Sequence, residues 1–100
     1  MSISLKKVPT TEEIEEICIA AEEAARSSLL GKIPAKRLED LNILVEAVGS
    51  KPLSLTVEVS AESLMADDDL NSLVQEATNA AFKAAEDKVR ELGLCKKQKG

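Results

Sequence analysis

The chain has no histidine, tryptophan or tyrosine, and Phe82 is its one aromatic residue. Without histidine, the commonest general base and metal ligand near neutral pH is missing. Serine, threonine and cysteine nucleophiles are present with no imidazole to activate them. Without tyrosine or tryptophan there is little on which unpaired bases could stack. Four scattered glycines form no phosphate-cradling loop. Cys18 and Cys95 are far apart and make neither CxxC nor zinc spacing. They read as free thiols of a reducing compartment, Cys18 in the core and Cys95 exposed. No apolar run approaches membrane-spanning length, and Met1 to Val8 lacks the apolar stretch of a secretory leader. These absences predict a cytoplasmic protein that is not an enzyme, uses no cofactor and has no membrane partner.

What is present is globular in composition, with 44% hydrophobic and 31% charged residues among 100, enough for one domain. The core must come from leucine, isoleucine, valine and alanine. Alanine buries little surface, whereas a fully buried large aliphatic side chain contributes roughly 1.5–3 kcal/mol. So thin a core is a first hint of a partner.

Residues 41–60, LNILVEAVGSKPLSLTVEVS, carry the clearest strand pattern. Leu53, Leu55, Val57 and Val59 alternate with Ser54, Thr56, Glu58 and Ser60, giving one apolar and one polar face. Leu41, Ile43, Val45 and Ala47 share a face in the preceding strand, and Leu44 and Val48 fall on the other, polar one. Residues opposed in an antiparallel pair lie on the same face, so paired numbers must sum to an even value. That excludes a two-residue Gly49-Ser50 loop. It favours a three- or five-residue loop with Val45 opposite Leu55 and Ile43 opposite Val57, provided that no bulge intervenes.

Helical patterns flank the hairpin. Thr10 and Glu13 fit a capping box. Ile14, Ile17, Cys18, Ala21, Ala24, Ala25 and Leu29 then recur on one helical face, with Ile19 on the polar side. Gly31 is expected to end this helix as a left-handed cap. Residues 32–40 read as a connector and residues 61–66 as a linker. Asp67, Asp68 and Asp69 announce a second helix by capping and dipole logic. It runs to about Leu92, with Leu70, Val74, Ala77, Ala81, Ala85 and Leu92 on its apolar face, Leu73 and Ala84 on one flank and Phe82 and Val89 on the other, and Gly93 ends it. The three aspartates lack the alternating spacing of a calcium loop and read as caps, not as metal ligands. The expected fold is α+β, a two-layer α-β-β-α unit with two long helices on one face of a β-hairpin. Residues 10–93 would be the single domain. Residues 1–9 read as a frayed end, with a short third strand (Ile3 and Leu5) as the alternative, and residues 94–100 as a basic, disordered tail.

Four segments in order, EEIEEICIAAEEAAR, LEDLNILVEA, LTVEVS and LVQEATNAAFKAAEDKVREL, resemble a small archaeal protein family of unknown function, often encoded next to the prefoldin beta subunit. The resemblance spans about residues 10 to 92. It implies an archaeal cytoplasmic setting and a link to protein folding or translation, and it brings no catalytic or binding residues. The longer N-terminus and the lysine tail are not features of that family.

The candidate sites follow. Leu44 and Val48, with Glu46 and Glu58 on the same face, are the interface candidates. In a monomer the two apolar residues would stay wet, and two hairpins meeting edge to edge or face to face would cover them, so a homodimer is expected. Glu46 and Glu58 could also act as an acid–base pair, but a solvated face is the simpler reading. Six glutamates of the first helix, Glu12, Glu13, Glu15, Glu16, Glu22 and Glu23, read as a solvated face. Lys96, Lys97 and Lys99 are the candidate nucleic-acid contacts, helped by Lys32, Lys36, Arg37 and Lys51, on a chain whose net charge of −5 repels phosphate. The sequence therefore reads as a non-enzymatic, self-associating protein-interaction module, an adaptor or accessory factor with a protein partner that it does not identify. The alternative is a nucleic-acid- or ribosome-associated protein that uses the tail.

Overall fold

The computed structural model describes residues 2–33, 36, 38–49, 52–63 and 67–94. Its elements are β1 (Ser2–Ile3), α1 (Thr11–Leu30), β2 (Leu38–Gly49), β3 (Leu53–Ser63) and α2 (Asp67–Glu91). The strands form an antiparallel sheet in the order β1-β3-β2, with both helices packed on one face. This is the expected α+β arrangement of two helices on a hairpin, enlarged by a third strand.

β1 pairs Ser2 with Ser54 and Ile3 with Leu53. The frayed end is thus replaced by the short-strand alternative, and the reason is burial. Ile3 and Leu5 alternate with serines and fill the core beside Leu53 and Leu94. The Lys6 N–H donates to the Leu94 carbonyl at 2.8 Å, tying this segment to the end of α2.

α1 begins as its sequence dictates. The Glu13 N–H donates to Thr10 Oγ1 at 3.1 Å, and the Thr10 N–H to Glu13 Oε1 at 2.8 Å. Its C-terminus differs from expectation. Gly31 stays right-handed, at φ −76°. The turn continues through Ile33, whose N–H reaches the Leu29 carbonyl at 2.8 Å, and Ile33 is thereby buried. The left-handed cap is found on α2. Gly93 has φ 73°. Its N–H donates to the Arg90 carbonyl and that of Leu94 to the Val89 carbonyl, a Schellman end with Val89 and Leu94 both buried.

β2 pairs with β3 along nearly its whole length. The parity argument holds, but the register lies two residues from the expected one: Val45 opposes Val57, Ile43 opposes Val59 and Gly49 opposes Leu53. Pro52 accounts for this. In the three-residue-loop form of the expected register it would face Val48 inside the ladder, where it has no N–H to donate. The observed register leaves it in the turn, and Gly49 takes the bend at φ 82°. Both strands also outrun the alternating pattern, since residues 38–40 and 61–63 are extended, not connector and linker.

The core is a stripe on each helix set against the sheet, α1 over β2 and α2 over β3. Ile17, Ala21, Ala25 and Leu29 of α1 are fully buried, as are Ala77, Ala81 and Ala85 of α2, with Val89 almost so. Val89, expected on the flank, completes the second stripe, because a four-residue step from Ala85 reaches it, and Leu92 is only partly buried against the core. Ile19 is exposed, as its polar-side position requires. The helices run antiparallel: Lys32, just past α1, is 3.6 Å from Glu76 near the start of α2, while Glu16 and Glu23 share a groove with Lys88 near its end. Both helices carry buried alanines along the stripes that meet, and such small side chains allow close approach.

Candidate functional site

The period of two that buries the odd-numbered residues of the hairpin turns the even-numbered ones outward. With both helices on one side, the opposite face of the sheet is bare. It carries Asp40, Asn42, Leu44, Glu46 and Val48 from β2, paired with Glu62, Ser60, Glu58, Thr56 and Ser54 from β3. All ten are exposed. Leu44 keeps 47% and Val48 66% of its surface.

The face is also one-signed. Its described residues include four carboxylates, Asp40, Glu46, Glu58 and Glu62, and no lysine or arginine. Asp40 and Glu62 are directly opposed, a like-charge pairing that costs stability. The ion pairs among the described residues lie on the helices and just beyond α1: Glu22–Arg26 at 2.8 Å, Asp87–Arg90 at 3.0 Å, and looser pairs of Lys32, Lys83 and Lys88. Lys32, a candidate nucleic-acid contact, is thus engaged with Glu76.

β2 is moreover the outer strand of the sheet, and among the described residues nothing pairs with its far side. Its Leu41 N–H donates to Asp40 Oδ1 at 3.0 Å, and Asn42 Nδ2 donates to Asp40 Oδ2 at 3.2 Å. An amide bonded to a neighbouring side chain points away from the ladder. Leu41, Ile43, Val45 and Ala47 therefore direct their backbone groups outward, and the even-numbered residues bond to β3.

Of the sequence candidates, Leu44, Val48, Glu46 and Glu58 gather on this face, with Leu44 opposite Glu58 and Glu46 diagonal to it. Asp40 and Glu62 complete the acidic rows, and sequence reading missed them because it placed both outside the strands. Lys96, Lys97 and Lys99 lie outside the described residues, as do Arg37, Lys51 and Cys95. Of the aspartates, Asp69 is described in full, and α2 begins at Asp67. Among the described residues no three acidic or cysteine side chains converge as metal ligands, and no helix is long and apolar enough to cross a membrane.

Cys18 sits half-buried against the core, and burial pushes its thiol above the ordinary value. Its reaction with a thiol reagent in the native protein is expected to be at least about tenfold slower than in denaturant. The burial has a pH signature. A raised pKa means that the folded state prefers the neutral thiol. Its contribution to stability is whole below the ordinary value, about 8.5, and is lost as pH rises through the raised one. Denaturant midpoints measured across that range should fall in the wild type and stay flatter in Cys18→Ala.

A family model described as a protein of unknown function, DUF3194, matches residues 5–88. No curated protein matches the chain. A crystal structure from Thermococcus onnurineus NA1 superposes with a TM-score of 0.73 at 24% identity, covering 92% of this chain and 89% of that one. The solution structure of a hypothetical protein from Methanothermobacter thermautotrophicus gives 0.62 at 24% identity, covering 89% and 97%. At that identity the likeness is one of fold.

Proposed function

The chain belongs to the DUF3194 family of proteins of unknown function, and on that premise we propose that it is a non-enzymatic, self-associating protein-interaction module. The observation that carries the reading is the bare side of the hairpin. A twelve-residue outer strand with an open edge also displays Leu44 and Val48 to water. Natural sheets usually shorten, cover or charge such edges. Here the apolar row of β2 lies under the helices, and its charged row is interrupted by Leu44 and Val48. Two hairpins brought together satisfy the edge and cover both residues, and a two-fold contact closes on itself without propagating. The setting would be the archaeal cytoplasm, in keeping with the archaeal sources of the two structural neighbours. An accessory role in protein folding or translation extends the same reading, through the resemblance to a family encoded beside a prefoldin subunit.

Light scattering coupled to size exclusion at micromolar protein tests self-association. The expected mass is about twice the 10.7 kDa of one chain. Leu44→Lys should shift the protein to monomer with its helical circular dichroism unchanged. A wild-type mass near one chain that does not move on concentration overturns the proposal, and a dimeric Leu44→Lys places the contact elsewhere. Each copy carries −5, so association should hold or tighten as salt rises. A nucleic-acid partner would behave oppositely. It would also be conspicuous at 260 nm in a protein with no tryptophan or tyrosine.

A further inference from the structure

We infer that the occupant of the open β2 edge is the β2 strand of a second copy, paired antiparallel about a two-fold axis that passes beside Leu44. This inference rests on the self-association proposed above and specifies its geometry.

A face-to-face dimer is disfavoured first. It would bring the four carboxylates of each bare face, Asp40, Glu46, Glu58 and Glu62, against the same four of the other copy, with no described cation on either face to separate them. Edge pairing keeps those carboxylates in water. It also uses the backbone groups of Ile43, Val45 and Ala47, which point away from β3.

The register then follows from pattern. A two-fold axis perpendicular to the sheet leaves the helices of both copies on one side, so paired residues share a face and their numbers sum to an even value. An axis at Leu44 sets Ile43 against Val45 of the second copy and Leu41 against Ala47, the residues with outward backbone groups. On the bare face it sets Leu44 against Leu44, Glu46 against Asn42 and Val48 against Asp40. No carboxylate meets a carboxylate, and the most central apolar side chain on that face meets its own copy. The neighbouring choices are worse. An axis at Ile43 opposes Asp40 to Glu46 twice, and one at Glu46 opposes that residue to itself. An axis at Val45 sets Leu44 against Glu46 and shortens the ladder. With the outward backbone groups on odd-numbered residues, Leu44 faces its mate across a non-hydrogen-bonded site. There the Cα atoms approach to about 4.5 Å, within the range of about 4.4–6.8 Å that a disulfide spans.

Cross-linking reads the register directly. Leu44→Cys, Asn42→Cys and Val48→Cys are each made with Cys95→Ser, and folding is checked by circular dichroism. Leu44→Cys is expected to form a covalent dimer under mild oxidation at least about tenfold faster than the other two, whose cysteines would face Glu46 and Asp40 of the second copy. A dimer by light scattering in which Leu44→Cys cross-links no faster than Val48→Cys or Asn42→Cys overturns this register and leaves self-association standing. A monomer at every concentration overturns both. Preferential cross-linking of Val48→Cys would move the axis toward the turn and overturn the placement at Leu44.

Discussion

Leu55→Ala is expected to remove about 2–5 kcal/mol of stability, a large share of the roughly 5–15 kcal/mol typical of a small domain. Leu55 lies in β3, the middle strand of the sheet, and is fully buried. It belongs to the same buried cluster as residues of both helices, and alanine supplies half of the buried stripe on α1 and most of that on α2. Alanine has no rotamers with which to move into a cavity, so little of the loss can be recovered by repacking. A urea titration followed by circular dichroism should show the midpoint collapsing with the slope little changed. A midpoint shift corresponding to less than about 1 kcal/mol would mean that β3 is not the seat of the core.

Ala21→Leu is expected to fail by the opposite route. Ala21 has no exposed surface and lies in the fully buried stripe of α1, which packs against α2. Three added carbons must separate the helices or force strained rotamers, at a cost of typically 1–3 kcal/mol. The same change at Ala20, which is only partly buried in the groove between the helices, should cost much less. Thermal denaturation of the two variants side by side makes the comparison, and equal melting temperatures would show that the helices are not in close contact at Ala21. The two largest effects thus come from one property of the core, its pairing of large aliphatic side chains with alanines that hold the helices close.

Much of this was legible in the sequence, for identifiable reasons. Alternation at Leu53, Leu55, Val57 and Val59 and helical recurrence of the alanines are strong periodic signals, and they delivered the elements and their layers. Parity delivered the faces of the hairpin, and hence Leu44 and Val48 as its exposed apolar residues. The register slipped by two because the missing N–H of Pro52 was not counted against its place in the ladder. The strand ends were missed because Asp40 and Glu62 carry no β signal of their own, and they are extended because they continue a ladder begun elsewhere. The open edge could not be read from β2 at all. It depends on β1, two residues long, choosing β3 as its neighbour, a choice made by the burial of Ile3 and Leu5 at a distance in the chain. Gly31 and Gly93 looked alike as helix terminators, and only packing distinguishes them: one turn continues to bury Ile33, the other reverses to bury Leu94.

The bond from Lys6 to Leu94 has a consequence in time. Emerging from a ribosome, the chain makes β1 first, yet β1 finds its strand partner only when residues 53–54 appear, and Lys6 finds its acceptor only when Leu94 does. Contacts between distant residues are the slow ones to form, and this pair spans nearly the whole described chain. Until translation has passed Leu94, Ile3 and Leu5 have no complete pocket, and the growing polypeptide carries two uncovered apolar side chains. The residues of β1 are thus made before their partners and locked in place after them, and during that interval a nascent chain of this protein is most exposed to chaperones or to misassembly.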